Sequence, residues 1–140
     1  MRLGAYAALL KEDSQVYGLY KKLGRLEGDK EQILANHIEE FRLGVMKGNV
    51  VLERHRHRYE VNQKYIEQLE EKGLIFSGYH ERADGTKLME FLELPGKAFY
   101  ATQSHPEFRS RPENPAPLFM GFIEGAKKRK SHHIAQPTII

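Results

Sequence analysis

Val50-Val51-Leu52-Glu53-Arg54-His55-Arg56-His57-Arg58-Tyr59-Glu60 decides the fold, because it reads as extended chain from end to end. Val50 to Glu53 resumes a strand, and from Arg54 onward basic residues and histidines alternate strictly. In a strand, whose side chains repeat every two residues, this puts Arg54, Arg56 and Arg58 on one side and His55 and His57 on the other. Downstream, Asn62 is a natural N-cap for a helix of about 63–72, with Ile66 and Leu69 turned inward and Gly73 at its C-terminal cap. Leu74–Tyr79 and Lys87–Leu94 read as strands joined by Arg82-Ala83-Asp84-Gly85, whose Asp-Gly pair signals a hairpin. Pro95-Gly96 breaks the second strand, and a third, Ala98–Thr102, stops just before His105-Pro106-Glu107. Pro112 to Pro117 punctuate a loop into a last helix, where Leu118, Phe119, Phe122 and Ile123 sit at helical spacing.

Upstream, Gly4–Leu10 is an apolar, strand-like stretch. Glu12-Asp13-Ser14 offers N-cap chemistry for a short helix over about 14–22 in which Val16, Leu19 and Tyr20 recur at helical spacing. Residues 23–48 read as an inserted helical segment between two pieces of the main fold. There Asp29 is expected to cap a helix with Ile33, Leu34, His37, Ile38 and Phe41 along one stripe, bounded by Gly28, Gly44 and Gly48. Strands alternating with helices predict an α/β fold, to which the Asp-Gly hairpin adds an antiparallel element.

The chain has 140 residues, enough for one domain with a modest core. Its charge of +3 misleads: four of the 22 basic residues are Lys127, Lys128, Arg129 and Lys130, so residues 1–126 balance 18 basic against 19 acidic groups. The alkaline pI of about 9.1 therefore belongs largely to a basic tail over 127–140, read as disordered, and argues against nucleic-acid binding through Arg54 to Tyr59. The His132-His133 pair in that tail carries no functional weight. No apolar run approaches the roughly 18 residues of a membrane span, so a cytoplasmic location is expected. With no cysteine, disulfides, thiolate zinc sites and thiol catalysis by these residues alone are excluded.

The sharpest local feature is Gln103-Ser104-His105-Pro106-Glu107-Phe108, directly after a strand, where α/β folds gather ligands and catalytic groups. Histidine acts as a base near neutral pH, and a carboxylate on its other ring nitrogen fixes the tautomer and stabilises the imidazolium. His105 and Glu107 can form such a pair; an exposed histidine beside an unrelated glutamate is the plainer alternative. One of Arg54, Arg56 or Arg58 can clamp an anionic substrate group, or all three can line a solvated edge. Zinc on His55, His57 and His105 lacks further ligands at supporting spacing. Ser104, next to His105 in extended chain, points to the opposite face, and Ser110 is a conceivable serine nucleophile with nothing local to place it on a strained turn.

Met1-Arg2-Leu3-Gly4, Glu53 to Asn62, Thr102 to Phe108 with Ser110-Arg111-Pro112, and Pro117-Leu118-Phe119 with Gly121-Phe122 together resemble the glutamine amidotransferase domain of the CTP synthase family. The resemblance covers most of residues 1–19 and 50–126. It implies a partial three-layer sheet of the class I glutamine amidotransferase type. It further implies that His105 and Glu107 are two members of a Cys-His-Glu triad and that Arg58 holds the α-carboxylate of glutamine. Family members use ATP to aminate UTP with ammonia from glutamine; the nucleotide sites, with ATP and magnesium, lie in a synthase domain these residues do not match. The expectation is thus a C-terminal portion of the domain over 1–126, inactive alone, partnered by an upstream synthase portion and assembled as an oligomer, with no cofactor of its own. The alternatives are a non-catalytic module docking on a synthase subunit and a serine-dependent hydrolase. Residues 20–49 are longer than the family's usual connection, and Ser104 replaces a bulkier residue.

Overall fold

A computed structural model describes residues 1–134, with side chains to Arg129. Five strands, β1 (Arg2–Leu10), β2 (Val50–His57), β3 (Ile75–Glu81), β4 (Lys87–Glu93) and β5 (Tyr100–Thr102), form one sheet in the order β2-β1-β3-β4-β5. All four pairings are antiparallel. The longest runs from Arg2 opposite His57 to Leu9 opposite Val50. The Asp-Gly hairpin forms as expected, Arg82 N–H donating to Thr86 O at 2.9 Å.

The sheet curls. β2 and β4 are separated by two strands in the order, yet His55 Nε2 lies 3.4 Å from a Glu90 carboxylate oxygen. That approach requires the sheet to fold over on itself. Tyr6 to Leu10 of β1 are all buried, so both faces of this strand are covered.

Helix α1 (Gln15–Lys22) starts at Ser14, whose hydroxyl accepts from Tyr17 N–H at 3.1 Å. Glu93 of β4 takes the next two free donors, Gln15 N–H and Val16 N–H, at 2.8 and 2.9 Å. Val16 and Tyr20 enter the apolar core with Ala8, Leu10, Val51, Phe91 and Leu118. Each of the Val, Leu and Phe side chains among them contributes about 1.5–3 kcal/mol on burial.

The inserted segment is helical, with different limits. α2 spans Arg25–Ala35 and α3 spans Glu40–Leu43, packed against β2 and β1 respectively. Asp29 does not cap α2; it lies inside it and is buried. Of the expected stripe Ile33 alone is buried, while Leu34 and Phe41 are exposed and His37 and Ile38 fall between the helices. The reason is that α2 buries Arg25 and Asp29 with Ile33, a spacing of four that hydrophobic periodicity does not register.

A short 3-10 turn, Gln63–Tyr65, and α4 (Ile66–Glu70) follow Asn62, whose side chain accepts from Lys64 N–H at 3.1 Å. The last helix, α5, spans Pro117–Ile134 and continues through residues 127–134 that the sequence reading assigns to the tail; residues 135–140 lie outside the described residues. Leu118 is buried, but Phe119, Phe122 and Ile123 face outward. α5 approaches its neighbours along glycine instead: a Cβ on Gly121 would sit 2.4 Å from Leu19, and one on Gly125 2.1 Å from Ala98.

Candidate functional site

β5 ends at Thr102, and the chain drops through Gln103 and Ser104 into His105. Backbone pairing guides the descent: Gln103 N–H donates to Glu90 O and His105 N–H to Arg54 O, both at 2.8 Å. Pro106–Phe108 then make one 3-10 turn, in which Phe108 N–H donates to His105 O at 3.1 Å. The turn brings His105 Nδ1 to 2.7 Å from a Glu107 carboxylate oxygen. That hydrogen bond, with Glu107's own backbone N–H, holds the Glu107 carboxyl below its ordinary range. A neutral imidazole facing a carboxylate through Nδ1 carries its proton there, so the Nε2 lone pair is free. The pair is open to solvent, its side chains being 37% and 53% exposed. The ring is steadied by Phe108, stacked at 5.1 Å, and Arg54 lies 5.9 Å from the Phe108 ring centre.

Arg54 and Arg56 of β2 point outward while His55 is buried and His57 half-buried, as the alternation predicts. β2 ends at His57, however, so Arg58 stands on the following loop, exposed and with no hydrogen-bond or ion-pair partner among the described residues. The loop is pinned at Tyr59 O, which accepts from Gln103 Nε2 at 3.0 Å and lies 2.9 Å from His57 Nδ1. Gln103, two residues before His105, thereby ties the Arg58 loop to the His-Glu turn.

Behind this loop lies a polar cluster that the sequence does not reveal. Arg2 grips both Glu60 oxygens, at 2.7 and 2.8 Å, and also bonds Glu90. Burial raises the Glu90 carboxyl to about 8 and lowers the His55 imidazole to about 2, and it lowers His57 as well. One set of protons satisfies the chain of contacts. His57 Nδ1 must donate to Tyr59 O, so its Nε2 accepts from His55 Nδ1 at 3.0 Å. His55 Nε2 is then an acceptor, and Glu90 Oε2, otherwise without a partner, can donate to it only when protonated.

The sequence also leaves Arg109 and Asp29 unassigned. Arg109 follows the His-Glu turn and meets Asp29 in two-pronged geometry, at 2.7 and 3.1 Å. Arg109 stands next to Phe108, and its position beside the turn is the one signal that reading from sequence offers.

Among the described residues no serine is hydrogen-bonded to the His105 imidazole. Ser104 Oγ is 2.6 Å from Thr102 Oγ1, and Ser110 Oγ accepts from Ala116 N–H at 3.0 Å. Among the described residues no three His, Cys, Asp or Glu side chains are grouped to hold a metal, and no helix is long and apolar enough to cross a membrane.

Comparison with known proteins bears on this geometry. The profile of the family described as Glutamine amidotransferase class-I matches residues 13–125. A CTP synthase of Thermococcus kodakarensis is 44% identical over 93% of this chain, which corresponds to 19% of that relative. One of Archaeoglobus fulgidus is 58% identical over 56% of the chain and 14% of its own length. The chain therefore spans about a fifth of the length of these curated relatives or less. The solved glutaminase domain of Trypanosoma brucei CTPS with bound acivicin superposes with a TM-score of 0.67 at 33% identity, covering 91% of this chain and 40% of that one. The α/β architecture with its curled antiparallel sheet agrees with that likeness.

Proposed function

This chain belongs to the class I glutamine amidotransferases, and on that premise we propose that it supplies the base, the orienting carboxylate and the anion clamp of a CTP synthase glutaminase site. The observation that carries this reading is the 2.7 Å bond from His105 Nδ1 to Glu107, which leaves Nε2 free beside open solvent.

The chain contains no cysteine, so the nucleophile comes from outside these residues, supplied by a further portion of the synthase. His105 Nε2 takes the thiol proton as the sulfur attacks the amide carbon of glutamine, and the C=O π pair moves onto oxygen. Collapse of that intermediate breaks the C–N bond, and the imidazolium returns its proton to the departing nitrogen, releasing ammonia and leaving a thioester. Water, deprotonated by the same nitrogen, then cleaves the thioester to glutamate and restores the thiol. Glu107 accepts from Nδ1 throughout and stabilises the imidazolium. Arg58, unpaired on its pinned loop, receives the α-carboxylate of glutamine as a two-pronged partner. The ammonia serves amination of UTP in the synthase portion, where ATP and magnesium act; the assembled enzyme is an oligomer.

The test is ammonia release from glutamine by the chain alone and by the chain mixed with a synthase portion bearing the nucleophilic cysteine. Activity is expected only in the mixture and is lost with His105→Ala. Release by the chain alone would refute an external nucleophile. Binding without activity would make the chain a docking module. The engaged hydroxyls of Ser104 and Ser110 give a serine mechanism no support.

A further inference from the structure

We propose that Asp29 and Arg109 are positioning residues for the His105–Glu107 pair, and that holding this turn in place is what the inserted segment 23–48 does. The consequence for catalysis rests on the glutaminase reading above; the clamp rests on contacts alone.

Asp29 is 1% exposed and spends both carboxylate oxygens on groups outside its own helix turn. Oδ1 accepts from Arg109 Nη2 at 2.7 Å. Oδ2 accepts from Arg109 Nη1 at 3.1 Å and from Leu52 N–H at 2.9 Å. Arg25, one turn earlier in α2, reaches the same carboxylate at 3.3 and 3.4 Å. Arg109 in turn bonds Leu52 O, and Gln32 Oε1 accepts from it at 2.9 Å. The peptide groups of Leu52 are thus taken by Asp29 on one side and Arg109 on the other. Two residues along β2, Arg54 O accepts His105 N–H.

The turn carrying the base is consequently fastened to β2 at both ends, through His105 N–H at its start and through Arg109 at its finish. Between these anchors the backbone has one 3-10 turn of freedom, and the His105–Glu107 distance depends on it. Glu107 is half-exposed and among the described residues receives no side-chain bond except from His105, so the turn is what holds it there. A guanidinium on a carboxylate in fork geometry suits such an anchor, because it fixes direction as well as distance.

The test is ring 15N NMR of His105 in the full chain, on the alkaline side of its titration, where the spectrum shows which ring nitrogen carries the proton. In the unmodified chain the Nδ1–H form dominates. Arg109→Gln and Asp29→Asn are expected to lose that dominance and to give the same mixture as is expected of Glu107→Gln, while Arg109→Lys, which keeps charge but not the fork, falls between. An unchanged ring spectrum in an Arg109→Gln chain with native backbone amide shifts would overturn the proposal. Arg109 is partly exposed, so this variant decides the matter where Asp29→Asn does not fold. In the assembled glutaminase, Arg109→Gln should lower kcat on the order of 10- to 100-fold and leave KM for glutamine unchanged. A kcat that is also unchanged overturns the catalytic consequence. Failure of the mixture to release ammonia at all, with the ring spectrum responding as expected, would fault the glutaminase reading and leave the clamp standing.

Discussion

Two of the three histidine–glutamate contacts among the described residues lie at opposite extremes of burial. His105 and Glu107 meet at 2.7 Å in the open, where the hydrogen bond from the imidazole keeps Glu107 an anion. His55 and Glu90 meet at 3.4 Å with their side chains 1% exposed, where burial favours the uncharged form of each: His55 loses its proton and Glu90 keeps one. The same two functional groups make an open, solvated pair in one place and a neutral strut in the other. Solvent access decides which.

Four experiments press on that contrast. The largest effect is functional: His105→Ala should cost the reconstituted glutaminase on the order of 10³–10⁴-fold in kcat while barely moving the melting temperature. If stability collapses with activity, the open pair is structural after all. Next, Arg2→Met should destabilise the fold by about 1–3 kcal/mol in urea titration, because Glu60 loses its two-pronged partner and the buried Glu90 carboxyl loses a donor.

The third is the pH profile of stability. Glu90 is raised from 4.5 to about 8, so its contribution is complete below pH 4.5 and drains as pH climbs toward 8. His55 is lowered from 6.5 to about 2, so its contribution is complete above pH 6.5 and drains as pH falls toward 2. The two slopes oppose one another between 4.5 and 6.5. Glu90→Gln should therefore flatten the decline from pH 6.5 to 8, each proton being worth at most about 1.4 kcal/mol per pH unit. A decline that survives the substitution removes Glu90 as its source. Smallest, Glu107→Gln should change stability by less than about 1 kcal/mol, as befits an exposed pair, and urea midpoints measure this directly.

How much of this was legible follows from sequence distance. The Asp-Gly hairpin and a helix cap within Glu12-Asp13-Ser14 are local, so residue types and spacing place them. His105 and Glu107, two residues apart on a proline-stiffened turn, are local too, but spacing leaves their pairing open against an exposed histidine beside an unrelated glutamate. The exposed arginines of β2 follow from period-two alternation. Asp29 is different: its partners Leu52 and Arg109 lie 23 and 80 residues away, and a lone acidic residue after a glycine looks like a cap. Glu90 reads as an ordinary polar position in a strand until the curl carries it onto His55. The outward turn of Phe119, Phe122 and Ile123 was hidden for another reason, since hydrophobic spacing locates an apolar stripe but does not say that Gly121 and Gly125 offer a closer fit.

The tie at Leu52 also occupies part of the edge of the sheet. β2 is the outermost strand of the sheet, and a free outermost strand is a template on which a second chain can build by adding its own backbone. Here the template is already in use. Leu52 gives its N–H to Asp29 and its C=O to Arg109, and the C=O of Arg54 is held by His105. The far side of the sheet ends in β5, only three residues long. Growth by strand addition is hindered at Leu52 and Arg54 of β2 and would be brief at β5.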